Sequence, residues 1–239
     1  GVHFGHLKKK WNPKMSPYVF MEKNKIHIID LNKTISKLEE ACRSLKQIAK
    51  SGKKILFVAT KKQAKSIVAE SAKSLNMPYI TERWPGGLLT NFSTIRKSIK
   101  KMNSIDTMKE DGTFDTLSKR EKLQIERTRE KLELNFGSIE NMNRIPEAIF
   151  VVDINKEHIA VAEANKLGMR SYAMVDTNTN PKLVNFPIPA NDDSTKSISK
   201  IMQIISEAIA EGLSERSKTI EEKAKIKQEK AKEILNKDN

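Results

Sequence analysis

Two short runs of this chain, residues 55–59 and 148–152, are apolar at every position, and each leads directly into a helical pattern. Strands at 55–60 and 148–153 thus precede helices at 62–75 and 156–167. A strand without polar alternation must be covered on both faces, and a parallel sheet flanked by helices provides that cover. The two units also match each other at an offset of 93, through Phe57 and Phe150, Val58 and Val151, Ala69 and Ala162, Glu70 and Glu163, and Lys73 and Lys166. Two copies at this distance do not make a solenoid; they read as two βα units of one doubly wound α/β sheet. Further strands at 79–80, 171–175 and 186–188 bring the expected sheet to about five.

Hydrophobic residues make up 38% of the chain and charged residues 31%, against roughly 45–50% and ~25% in ordinary globular proteins. Part of the chain therefore lacks a core of its own. That part is 106–135, where 15 of 30 residues are charged and 7 are apolar. Before it, Phe92, Ile95, Ile99, Met102 and Ile105 recur at helical spacing. Glu110-Asp111-Gly112 supplies a turn, and Ser118 with Glu121 forms a capping-box pattern that restarts a helix. Residues 102–145 read as a helical hairpin inserted into an α/β domain made of 1–101 and 146–212. The last core helix is expected at 195–212, with Ile198, Ile201, Ile204, Ile205 and Ala208 on one face and Gly212 as its stop. The Lys/Glu-rich tail, 213–239, reads as a solvated helix or a disordered segment, with docking as a further possibility. The longest apolar runs are far below the roughly 20 residues needed to span a bilayer. A single cysteine, Cys42, excludes an intrachain disulfide and reads as a small buried hydrophobe.

The charge is segregated. Residues 1–101 hold 22 Lys+Arg against 6 Asp+Glu, and residues 102–239 hold 22 against 24. Such an excess repels itself unless a polyanion neutralises it. Within the basic half, Lys8, Lys9, Lys10 and Lys14 alternate with Phe4, Trp11, Tyr18 and Phe20, a pattern suited to phosphates and to stacking; the aromatics equally suit pinning an arm to its own domain. Thr60-Lys61-Lys62-Gln63 falls where a parallel strand meets a helix start, a place for an anion or for a plain solvated cap. Arg83-Trp84-Pro85-Gly86-Gly87 reads as a tight turn offering Arg83 and Trp84 to a partner, followed by a helix carrying Arg96, Lys97, Lys100 and Lys101. His3 and His6 lack a third metal ligand nearby, so no metal site is expected. Asp153 and Asp176 both end predicted strands. They would suit a Mg²⁺-dependent phosphohydrolase or nucleotide-binding enzyme, but a helix cap and a turn explain them more simply. Asp192-Asp193 reads as the N-cap region of the last core helix. No G-x-G-x-x-G, P-loop or nucleophile elbow occurs.

The strings GVHFGH, WNPKM, NKIHIIDLNKT, ILFVATKKQA, RWPGGLLTNF, DGTFDTLSKRE, IFVVDINKEHIAVAEANKLG, VDTNTNP and IPANDD, in this order over about residues 1–212, resemble the bacterial-type small-ribosomal-subunit protein S-two family. Ala59, Pro85 and Asn180 stand where that family more often has Gly, Leu and Asp. The resemblance implies a flavodoxin-like sheet with an inserted coiled-coil hairpin, and a non-enzymatic protein that binds 16S rRNA in the bacterial cytoplasmic ribosome, with an organellar ribosome as the alternative. It further implies contact with neighbouring small-subunit proteins including S-one, and through it indirectly with mRNA. Neither a membrane nor a homo-oligomer enters, and no cofactor beyond Mg²⁺ carried by the RNA. The residues expected at the RNA are Lys8, Lys9, Lys10, Trp11, Asn12, Lys14, Lys61, Lys62, Arg83, Trp84, Arg96 and Lys100.

Overall fold

The computed structural model describes residues 1–237, with side-chain detail through residue 222; the end of the charged tail lies outside the described residues. The chain opens on β1 (Phe4–Leu7), β2 (Val19–Lys23) and β3 (Ile26–Ile29), a small antiparallel sheet with β3 in the centre. No strand was expected within this N-terminal arm. Its strands are short and largely exposed, so they carry little alternation. The β2–β3 hairpin turns at Asn24 and Lys25, both with positive φ (52° and 64°), the conformation of a two-residue primed turn without the usual glycine.

After α1 (Leu31–Lys50) the chain enters the large sheet: β4 (Ile55–Val58), α2 (Lys65–Ser74), β5 (Tyr79–Ile80), α3 (Phe92–Glu110), α4 (Lys119–Phe136), β6 (Ala148–Val152), α5 (His158–Lys166), β7 (Arg170–Val175), β8 (Phe186–Pro189) and α6 (Thr195–Lys237). The five strands are all parallel, in the order β5, β4, β6, β7, β8. Counted along the sheet's own strands this is the 2-1-3-4-5 flavodoxin-like order, whose switch point lies between β4 and β6. There the internal repeat becomes the register itself: Ile55 faces Ala148 and Phe57 faces Phe150, with the two rings 5.7 Å apart.

Alternate strand residues feed two cores. Ile55, Phe57, Phe150, Tyr172 and Met174 pack with Leu45, Ile201 and Ile205 on one face. Leu56, Val58, Ile149, Val151 and Val175 pack with Leu88, Ile99 and Val161 on the other. Each such fully buried side chain contributes roughly 1.5–3 kcal/mol. Cys42 sits half-buried against the first core, and burial pushes its thiol pKa up to about 11.

Helix α3 continues the second core through Ile95 and Ile99, and α4 returns beside it with no buried residue. The capping box at Ser118 and Glu121 is formed. At the C-terminus α6 passes straight through Gly212, so that glycine is not a stop. A Cβ there would lie 2.5 Å from the Lys46 carbonyl oxygen of α1; the missing side chain lets two helices pack closely. Among the described residues no helix is long and apolar enough to cross a membrane.

Candidate nucleic-acid interface

The N-terminal cations lie on a segment fastened to the α/β domain. A 3-10 turn, Lys8–Lys10, follows β1, and the Asn12 side chain caps a second one, Pro13–Tyr18, by accepting the Lys14 N–H. The Asn12 N–H donates to the Thr177 carbonyl at 2.9 Å, the His6 N–H donates to Thr177 Oγ1 at 2.8 Å, and Met15 is completely buried. Trp11 stacks on His27 at 5.1 Å, so it anchors the segment. Lys8 pairs with Glu22 at 2.7 Å. Lys9, Lys10 and Lys14 are exposed and, among the described residues, free of ion pairs.

The strand-end site at Thr60-Lys61-Lys62 is organised differently from the expectation. The helix starts only at Lys65, and the anion it attracts comes from the chain itself. Glu157 accepts hydrogen bonds from the Thr60 N–H (2.7 Å) and hydroxyl. Burial pushes its carboxyl above the ordinary value, and the Thr60 bonds pull the other way. Lys61 is buried, with Nζ 2.6 Å from Asp192, 2.7 Å from Asp193 and 3.2 Å from Asp153. Burial disfavours its charge, but these carboxylates outweigh that and raise its pKa. Lys61 therefore offers nothing to an external phosphate, whereas Lys62 is exposed.

Asp192 and Asp193 lie in the segment just before α6, the region expected of them, but their carboxylates turn to Lys61 and not to the helix start. The Asn191 side chain takes the Asp193 and Ser194 N–H groups instead. Desolvation of fully buried Asp192, with Asp153 and Asp176 nearby, pushes its pKa up to about 7. Asp153, at φ 68°, caps the turn before α5 by accepting the Asn155 and Lys156 N–H groups. Asp176 is 1% exposed and orders its own turn through Thr177. Asp153 too is buried, at 9% exposure.

The Arg83–Gly87 loop is also closed around an internal partner. Trp84 is buried and donates from Nε1 to Glu163 at 3.0 Å. The same carboxylate accepts the Gly87, Leu89 and Thr90 N–H groups and the Thr90 hydroxyl. Burial alone would raise the Glu163 pKa, but these donors hold it below the usual range. Trp84 is thus unavailable for base stacking, while Arg83 remains exposed. The sequence pattern placed Glu163 in the internal repeat but gave it no role, although an acid among Ala160, Val161 and Ala164 on a buried helix face was the available signal.

Arg83 instead borders a groove of about 980 Å³ between this loop and α4, with Arg120, Arg127, Lys131 and Phe136 on its walls. These α4 cations were equally inconspicuous in the sequence, because the surrounding acids hide them in a near-neutral count. Arg96 is half-buried and donates to the Glu140 and Met142 carbonyls at 3.3 Å; it braces the base of the hairpin. Lys100 is exposed.

Comparison with known proteins bears on what this surface serves. The family model for ribosomal protein S2 matches residues 1–212. The chain is 64% identical over 216 residues to small ribosomal subunit protein uS2 of Flavobacterium johnsoniae, covering 90% of this chain and 85% of that one. It is 64% identical over 217 residues to uS2 of Flavobacterium psychrophilum, covering 91% and 82%. With uS2 of Bacteroides thetaiotaomicron the identity is 62% over 216 residues, covering 90% and 78%.

Proposed function

Since the chain belongs to the ribosomal protein S2 family, and is thereby a structural constituent of the small ribosomal subunit and not an enzyme, we propose that it holds 16S rRNA by phosphate contacts from Lys9, Lys10, Lys14, Lys62, Arg83 and Lys100. The observation that carries this reading is the division of the cations into two classes. Lys61, Lys8 and Arg96 are engaged by the protein's own oxygens, whereas these six are exposed and outside ion pairs among the described residues. Arg120, Arg127 and Lys131 extend the set along the groove wall. Such contacts position a backbone and carry no base sequence. Trp11 and Asn12 serve the site by fixing the segment that presents the lysines.

The finer roles follow from the same reading. The protein sits in the bacterial cytoplasmic ribosome as a single copy, touches neighbouring small-subunit proteins, and helps dock protein S-one and through it mRNA. Sedimentation with salt-washed small subunits lacking this protein, at several salt concentrations, tests the reading. Stoichiometric, salt-sensitive cosedimentation that ribonuclease abolishes is expected. Failure to cosediment at low salt, or cosedimentation indifferent to ribonuclease, overturns the RNA contact.

A further inference from the structure

Helix α4 sorts its charges by face. Arg120, Arg127 and Lys131 line the groove of about 980 Å³ that Arg83 borders, and among the described residues none that line it is acidic. The acids of the same helix are engaged elsewhere: Glu121 caps its start, Glu126 meets Lys109 of α3, and Glu133 pairs with Arg129. Arg120, Leu123, Arg127, Lys131 and Asn135 step by three and four residues, so they form one stripe facing the groove. From Arg120 to Lys131 that stripe runs about 16 Å along the helix. Neither its cations nor Arg83 make an ion pair among the described residues.

Between the cations the floor is apolar. Leu123 is 49% exposed, and Leu132 and Phe136 are half-buried beside it. The opposite wall is fixed in advance, because Glu163 holds Trp84, Gly87, Leu89 and Thr90. A wall already ordered loses little freedom on binding. Phosphates alone would need only the cations. An RNA duplex keeps its base faces stacked inside and presents sugar and phosphate, so it would leave Leu123 and Phe136 facing charge and water. An unpaired strand supplies both partners at once, phosphates for the cations and bare base faces for the apolar floor. The groove also continues the cationic set assigned above to RNA, which favours a nucleotide strand over an acidic peptide.

We propose that this groove holds a stretch of unpaired RNA, with phosphates on Arg83, Arg120, Arg127 and Lys131 and unstacked bases on Leu123, Leu132 and Phe136. At ~3.4 Å per stacked nucleotide, and more when extended, the stripe takes a few nucleotides. The inference rests on the RNA-binding reading above and adds that the strand at this site is single.

The test is fluorescence anisotropy of the full chain with a labelled single-stranded RNA, the same strand annealed to its complement, and an abasic strand of equal length, each at several salt concentrations. The unpaired strand is expected to bind at least ~5-fold more tightly than either control. Leu123→Ser should remove most of that preference and leave duplex binding unchanged; because Leu123 is exposed, its Tm should match the wild type. Arg127→Gln combined with Lys131→Gln should shallow the single-strand slope of log K against log salt by about 1.4. Reversal of Lys9, Lys10 and Lys14 to Glu should weaken all three RNAs and keep the preference. Equal affinity for the three RNAs, or groove variants that bind as the wild type while the lysine reversal weakens binding, overturns the groove and leaves the RNA-binding reading standing. Absence of salt-sensitive binding to any of them overturns that reading too. Displacement of the strand by free ATP or GTP at equal concentration would assign a mononucleotide site instead. In assembled subunits a photocrosslinker at Gln124 tells 16S rRNA from messenger as the source of the strand, and a crosslink to protein alone would sink the proposal.

Discussion

At Glu163 a single carboxylate holds an entire loop. Oε1 accepts from Trp84 and Gly87, and Oε2 from Leu89 and the Thr90 N–H and hydroxyl. In Glu163→Gln the amide must turn its NH₂ toward one of these donor sets, whichever way it rotates. Facing donors with donors in a buried site should cost about 2–4 kcal/mol, read as a lower midpoint in urea. The wild-type carboxyl also links the loop to pH. Its folded pKa lies below the ordinary 4.5, so its contribution is complete above that value and declines as pH falls through the folded one. Stability measured from pH 6 downward should therefore drop below about pH 4.5 in the wild type, and this component should be absent in Glu163→Gln; parallel curves would refute the assignment. The loop's turn was legible, since Pro85-Gly86-Gly87 demands one and Gly87 has φ 86°. Its partner was not, because 70 and more residues separate donor from acceptor and no local pattern encodes a contact of that range.

Among the elements, those with a strong period announced themselves and those with marginal patterns did not. The apolar strands β4 and β6 were readable because two-sided burial forbids polar residues, and the hairpin because charge without a stripe cannot enter a core. The N-terminal sheet escaped because its strands keep one face in water and turn on Asn24-Lys25. Gly212 misled for a physical reason: glycine ends helices by adopting positive φ, but it also sits inside them where another backbone comes close. The two roles predict opposite outcomes for Gly212→Ala. A helix-interior glycine replaced by alanine gains up to ~1 kcal/mol of propensity, whereas a Cβ 2.5 Å from the Lys46 carbonyl oxygen and 3.1 Å from Ala49 Cβ overpacks the α1–α6 seam at about 1–3 kcal/mol. The backbone carbonyl cannot rotate away as a side chain could, so net destabilisation and a lower Tm by calorimetry are expected. An unchanged or raised Tm would mean that the helices separate freely there.

Over the whole molecule, the fold sorts the cations of the basic half into those held by the protein's own oxygens and those free to serve the proposed partner surface. Counting lysines overstates it, because Lys61 neutralises internal carboxylates and Lys8 meets Glu22. It also misses Arg120, Arg127 and Lys131, which the near-neutral half contributes to the groove that Arg83 borders. Long-range placement decides both corrections, and sequence charge alone cannot supply it. The distinction is measurable in the salt dependence of binding to subunits lacking this protein. Removing one cation from a phosphate shallows the slope of log K against log salt by ~0.7–0.9. Reversing Lys9, Lys10 and Lys14 to Glu should take away about 2–3 units of slope while leaving Tm nearly intact, since these exposed lysines make no ion pair among the described residues. Lys61→Gln should do the reverse, leaving the slope unchanged while lowering stability through the carboxylates it strands. If Lys61→Gln shallowed the slope as the surface variants do, the buried cluster would have to open on the ribosome, and the division between internal and RNA-facing cations would fail.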